Sequence, residues 1–183
     1  GVGGRGVGRA CGGGAVCRGG QGVGRGAVAG DVTPGELGQA VGLGQSRGVS
    51  VHVTCNTMPR CDEVERLPQW LEYLQQAGVD AAIVADVGVL SLLKRHAPGV
   101  KAHISTQASI VNPLSARVWH ELGADRVILA RELSLEEIAA IRATTPKSLE
   151  PEAFVHGAMC VRYPGRRLRS THMPGRDGHP GPC

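Results

Sequence analysis

Residues 80–107 read DAAIVADVGVLSLLKRHAPGVKAHISTQ. A nearly continuous apolar run over 80–85 ends at Asp86. A short helical stretch over 88–96 follows, broken by Pro98-Gly99, and a second apolar run over 100–105 ends in Ser105-Thr106-Gln107. A strand, a helix of about ten residues and another strand of the same kind form a βαβ unit. The strands lack polar alternation, so they are expected to be buried on both faces of a parallel sheet.

The same texture extends in both directions. Upstream, Thr33-Pro34-Gly35-Glu36 reads as an N-cap, a proline in the first turn and an acid beside the helix dipole. That helix runs to about residue 46, weakened by Gly38, Gly42 and Gly44. A strand over 49–54 leads into Cys55-Asn56-Thr57. A helix over 62–77 carries the stripe Val64, Leu67, Leu71 and Leu74, and Gly78 stops it. Downstream, a helix over 113–122 closes at Gly123, and a strand over 126–130 ends in Arg131-Glu132. Ser134 caps a helix to about residue 143, and a last strand over 153–155 delivers His156. Five strands alternating with helices predict an α/β fold. Polar side chains gather where the strands end: Asn56, Asp86, Gln107, Arg131, Glu132 and His156.

The formal charge of +4 is unevenly placed. Residues 1–30 hold four arginines and no acid, and residues 160–183 hold five arginines against Asp177, which leaves 31–159 mildly acidic. Basic ends suit phosphates, although solvated tails are the commoner outcome, and two Trp, two Tyr and one Phe give little support to a base-stacking platform of the single-strand-binding type. Six irregularly spaced cysteines without an export signal read as thiols or metal ligands rather than a disulfide framework. No run has transmembrane length. A soluble, cytoplasmic protein without a membrane partner is expected. Residues 1–30, where glycine is the commonest residue, show no strand or helix period and are expected to be a disordered or out-of-frame leader.

The final stretch carries a recognisable pattern. Glu152-x-Phe154-x-x-Gly157-Ala158-Met159-Cys160, followed by Gly165 and Ser170, resembles the signature of the collagenase-like peptidases of unknown catalytic type, peptidase family U-thirty-two. His156, Gly175-Arg176-Asp177, Cys183, Ser105-Thr106-Gln107-Ala108-Ser109 and Leu129-Ala130-Arg131-Glu132-Leu133-Ser134 are similar to the same family in order and spacing. The resemblance spans residues 31–183. It implies a (β/α) TIM-type barrel, here incomplete with about five strands, and a site at the C-terminal ends of those strands. Three segments are thus expected: a leader over 1–30, a barrel-like portion over 31–159 and a Cys/Arg/Gly-rich loop over 160–183.

The resemblance also implies an iron–sulfur cluster held by Cys160, a cysteine seven residues later, Cys183 and one beyond. Four thiolates are the usual requirement. Arg167 stands at the second position and the chain stops at Cys183, so these 183 residues are not expected to assemble a full cluster. Protease machinery is not visible: His120-Glu121 has no following histidine of zinc spacing, and no serine sits in a Gly-x-Ser-x-Gly elbow. The catalytic candidates are His156, Glu132 and Arg131, with His156–Cys160 as a thiol–imidazole alternative. Asn56, Asp86, Ser105, Thr106, Gln107 and Arg176 are candidates for binding substrate, and Cys160 and Cys183 for binding metal. Arg131 suits a carboxylate; Asp86 suits a base or a helix cap.

Proteolysis of a peptide or protein is what the family's name implies. Hydroxylation of tRNA or rRNA bases, iron–sulfur-dependent and drawing oxygen from prephenate, is the alternative that the resemblance carries. A non-catalytic scaffold pairing with a partner subunit is the third reading.

Overall fold

The computed structural model describes residues 7–10, 14–18 and 33–155. In chain order its elements are β1 (Val7–Ala10), β2 (Gly14–Arg18), α1 (Pro34–Gln45), β3 (Ser50–Cys55), α2 (Cys61–Val64) and α3 (Leu67–Gln76). There follow β4 (Ala81–Val84), α4 (Val87–His96), β5 (Lys101–Ile104), a 3-10 turn (Thr106–Ala108), α5 (Pro113–Glu121), β6 (Arg126–Ile128), α6 (Leu135–Thr144) and β7 (Glu150–Glu152).

All seven strands lie in one sheet in chain order, with β1 antiparallel to β2 and β2 through β7 parallel. A doubly wound sheet reverses its order at a switch point; this one never does. Unreversed parallel strands with helical crossovers are the pattern of a (β/α) barrel, and six parallel strands are an arc of the eight that close one. The fold is α/β, an incomplete TIM-barrel-like arrangement.

The core fills the space between the arc and its helices. Val51, Val53 and Cys55 of β3 and Ala102 and Ile104 of β5 face Leu37 and Val41 of α1, Trp70, Leu71 and Leu74 of α3, and Leu90 and Leu93 of α4, all buried. Gly44 has a packing role here. A Cβ at that position would stand 2.7 Å from Val51 Cγ2 and 2.8 Å from the Val49 carbonyl, so glycine lets α1 close onto β3. Two aspartates just before strands fix the register. Asp80 accepts the Val51 amide at 2.7 Å, and Asp125 accepts the Ala102 amide at 2.8 Å while pairing with Lys94 at 3.2 Å.

Three expectations from the sequence need correcting. Two strands lie in the segment over 1–30 where none is expected. β2 pairs with β3 through the backbone, a contact that tolerates glycine, and Cys17 is buried in the core. The helix over 62–77 is broken into α2 and α3. Pro68 has no amide to donate, and its ring would strike the Val64 carbonyl four residues back, so α3 begins with the proline in its first turn. Val64 is consequently exposed and Trp70 takes its place in the stripe. The last strand is Glu150–Glu152, not 153–155. Leu129 donates to the Glu152 carbonyl at 2.8 Å, but the next amide, Ala130, turns away to Ile110 at 3.1 Å, leaving nothing to pair with 153–155.

Candidate functional site

Because side chains alternate across a strand, each residue between two core-facing positions points to the inside of the arc. On β3 these are His52 and Thr54, with Asn56 next; on β5 His103, with Ser105 next; on β6 Arg126 and Ile128; on β7 Glu150 and Glu152. The register places Thr54, Ile83, His103, Arg126 and Glu150 side by side across five strands.

The inner wall has two layers. The lower one holds His52 and His103, both buried, their rings edge to face at 4.8 Å. Burial, and then the charge of Arg126, lowers the pKa of both, and His103 is taken down to about 3. Both imidazoles are therefore neutral at physiological pH. Arg126 donates from Nε and Nη2 to Glu150 at 3.0 and 2.6 Å and from Nη1 to Glu152 at 2.9 Å. These hydrogen bonds, with the charge of Arg126, hold the Glu150 carboxyl below its ordinary range.

The upper layer is the mouth, where most of the described candidates meet. Asn56 Nδ2 donates to Ser105 Oγ at 3.3 Å, and Ser105 Oγ accepts the Gln107 amide at 3.3 Å, so strand ends β3 and β5 are tied by neutral groups. Thr106 Oγ1 donates to the Leu129 carbonyl at 3.3 Å, joining the 3-10 turn to β6. Ser109 ends that turn in the left-handed region, at φ 53°. The side-chain amide oxygen of Gln107 is buried with no hydrogen-bond partner among the described residues. Buried polar atoms are seldom left so. Beyond β6, the Arg131 guanidinium lies over the Phe154 ring, 4.3 Å from its centroid, within cation–π range. Glu132 is exposed. Asp86 Oδ1 accepts the Val89 amide at 3.0 Å and is the N-cap of α4.

His156, Cys160, Arg176 and Cys183 lie outside the described residues. Cys11 also lies outside them, and the three described cysteines are not grouped to hold an iron–sulfur cluster. Cys17 and Cys55 are buried on the helix side, where burial pushes the Cys55 thiol up to about 12, and Cys61 is exposed on α2. Among the described residues no three His, Cys, Asp or Glu side chains are grouped to hold a metal ion. Nor is any helix there long and apolar enough to cross a membrane.

A serine–histidine contact sits at the other end of the strands. Ser148 Oγ lies 3.0 Å from His120 Nε2, and His120 Nδ1 lies 3.0 Å from the Ala124 carbonyl. That carbonyl only accepts, so Nδ1 carries the proton and Nε2 accepts from Ser148. Ala124 and Ser148 precede β6 and β7, opposite the mouth.

Sequence reasoning missed His52, His103 and Arg126, and it read Phe154 only as part of a signature. A usable signal was present: His52, Thr54, Asn56 and His103, Ser105, Gln107 are polar residues two apart within apolar strands.

Among known proteins, the chain is 38% identical over 148 residues to the tRNA hydroxylation protein P1 of Bacillus subtilis, covering 81% of this chain and 35% of that protein. It is 36% identical over 148 residues to the 23S rRNA 5-hydroxycytidine C2501 synthase of Escherichia coli, covering 81% of this chain and 22% of that protein. The chain thus spans about a third or less of these relatives' length. The solved structure of the U32 peptidase Mk0906 matches with a TM-score of 0.60 at 25% identity, over 70% of this chain and 54% of that one. The sequence model of peptidase family U32 matches residues 10–183, so the chain belongs to that family.

Proposed function

We propose that the chain carries the barrel portion of an RNA-modifying protein that hydroxylates bases of tRNA or rRNA, with prephenate as the oxygen source, rather than of a peptidase. The observation that carries this reading is the mouth itself. It offers a guanidinium, two amides and two hydroxyls, and the described side chains there form no nucleophile–base pair of the kind that peptide cleavage needs. The hydroxylation names of the relatives at 36–38% identity support it further. The Ser148–His120 contact does not favour proteolysis, because barrel enzymes place their chemistry at the C-terminal strand ends and this pair lies at the other end.

In this reading Arg131 holds a carboxylate of the oxygen donor through its fork of N–H groups. Asn56, Ser105 and Gln107 orient the acceptor base. Arg167 stands where the resemblance implies a thiolate ligand, and no step is assigned to an iron–sulfur cluster.

The test is nucleoside mass spectrometry of tRNA and rRNA from a host deleted for its own family members and supplied with the full chain. A nucleoside heavier by one oxygen, absent without the chain and diminished when prephenate synthesis is blocked, is the expected result. Unchanged RNA together with casein cleavage would return the protein to the peptidases.

A further inference from the structure

Phe154 is the single phenylalanine of the chain and one of five aromatic residues of the Phe, Trp and Tyr types. Trp70 and Tyr73 stack on each other within α3, with Trp70 buried in the core. Phe154 is different. It lies just past the end of β7, it is 48% exposed, and Arg131 lies over its ring at 4.3 Å. The ring is half in water with a cation against it, so it has surface left for a further partner.

Its surroundings narrow what that is. β5, β6 and β7 are adjacent, so the 3-10 turn, Arg131 and Phe154 emerge at neighbouring strand ends. Thr106 bonds to the carbonyl of Leu129, two residues before Arg131, which brings the turn carrying Gln107 against the end of β6. The Gln107 amide oxygen is buried with no partner among the described residues. A flat ring held by a planar cation and an unsatisfied amide acceptor are components for holding one extruded base. The base stacks on the ring, and an N–H on its edge meets the Gln107 amide once that side chain turns out of its buried position. A peptide would instead call for an apolar groove or an open strand edge, and the described mouth offers neutral hydrogen-bonding groups at the ends of β3 and β5 and a ring past the end of β7.

We propose that Phe154, backed by Arg131, is the stacking platform for a single flipped-out nucleobase of the RNA substrate, with Gln107 reading that base's edge. The inference rests on the RNA-modifying reading above and adds to it how the base is held. The scarcity of aromatics, which argues against tracking along a strand, is no obstacle, because one extruded base needs one ring.

The experiment uses the full chain and a tRNA transcript carrying 5-iodouridine in place of uridine. Ultraviolet irradiation and peptide mapping should place the crosslink on Phe154. Phe154→Tyr should keep both crosslink and affinity, while Phe154→Leu should lose the crosslink and bind about tenfold more weakly. Gln107→Leu should weaken binding without moving the crosslink. If the wild-type chain binds and hydroxylates RNA but Phe154→Leu behaves like it, the platform is wrong and the functional reading survives. Should the wild type neither bind nor modify RNA, the functional reading fails and takes the platform with it. Protection of Phe154 by unfolded casein but not by RNA would assign the ring to a polypeptide and overturn the proposal.

Discussion

His103 refuses a proton in the fold that it would accept when unfolded. Its pKa falls from 6.5 to about 3 through burial, then through Arg126 and His52, and His52 is lowered in the same sense. As pH falls below 6.5, the unfolded chain binds protons that the folded chain does not, so stability declines with falling pH until the folded pKa is reached. Each histidine contributes a slope of at most about 1.4 kcal/mol per pH unit in that window. Urea denaturation between about pH 7 and 5 should show this slope, and His103→Leu should flatten it. An unchanged slope in the variant would mean that other groups govern acid sensitivity. Single residues were unevenly legible from sequence. Asn56, Ser105 and Gln107 stood out because polar groups ending apolar strands are conspicuous. His52 and His103 did not, because a half-apolar imidazole inside a run such as Val51-His52-Val53 passes for core until the neighbouring strands fix which face it occupies.

Elements were more legible than their ends. The strands β3 to β6 and the helices α1, α4, α5 and α6 fall where apolar runs, caps and glycine stops place them, because those signals are local. The exceptions depended on contacts outside the element. β2 is a strand because β3 lies beside it, and β7 stops where β6 turns away. Asp86 shows how one residue's role is decided at this scale. The structure places it as the cap of α4. Asp86→Ala should cost about 1 kcal/mol in chemical denaturation, and Asp86→Asn, which keeps an accepting oxygen, only a few tenths. Under the RNA-modifying function proposed above, hydroxylation should survive in Asp86→Asn. Abolished activity in a stably folded Asp86→Asn chain would restore the carboxylate as a base.

For the whole molecule, the barrel arc and the family agree. The cluster implied by the resemblance rests on Cys160 and Cys183, which lie outside the described residues. Arg167 stands where a ligand would, and a guanidinium does not replace a thiolate. Anaerobic reconstitution with iron and sulfide should therefore leave this 183-residue chain colourless. A brown product with broad visible absorption would show that its cysteines suffice after all.

The arc has one more property, written into β7. Glu150 donates to the Asp125 carbonyl and Glu152 accepts from Leu129, so both turn their backbone groups toward β6. Pro151, between them, faces the other way, and it has no amide to give. The outer rim of β7 thus lacks a donor at its midpoint, where an incoming strand would look for one. A next strand of the barrel laid against this rim would find a carbonyl there but no amide, so the ladder on that side would be one hydrogen bond short.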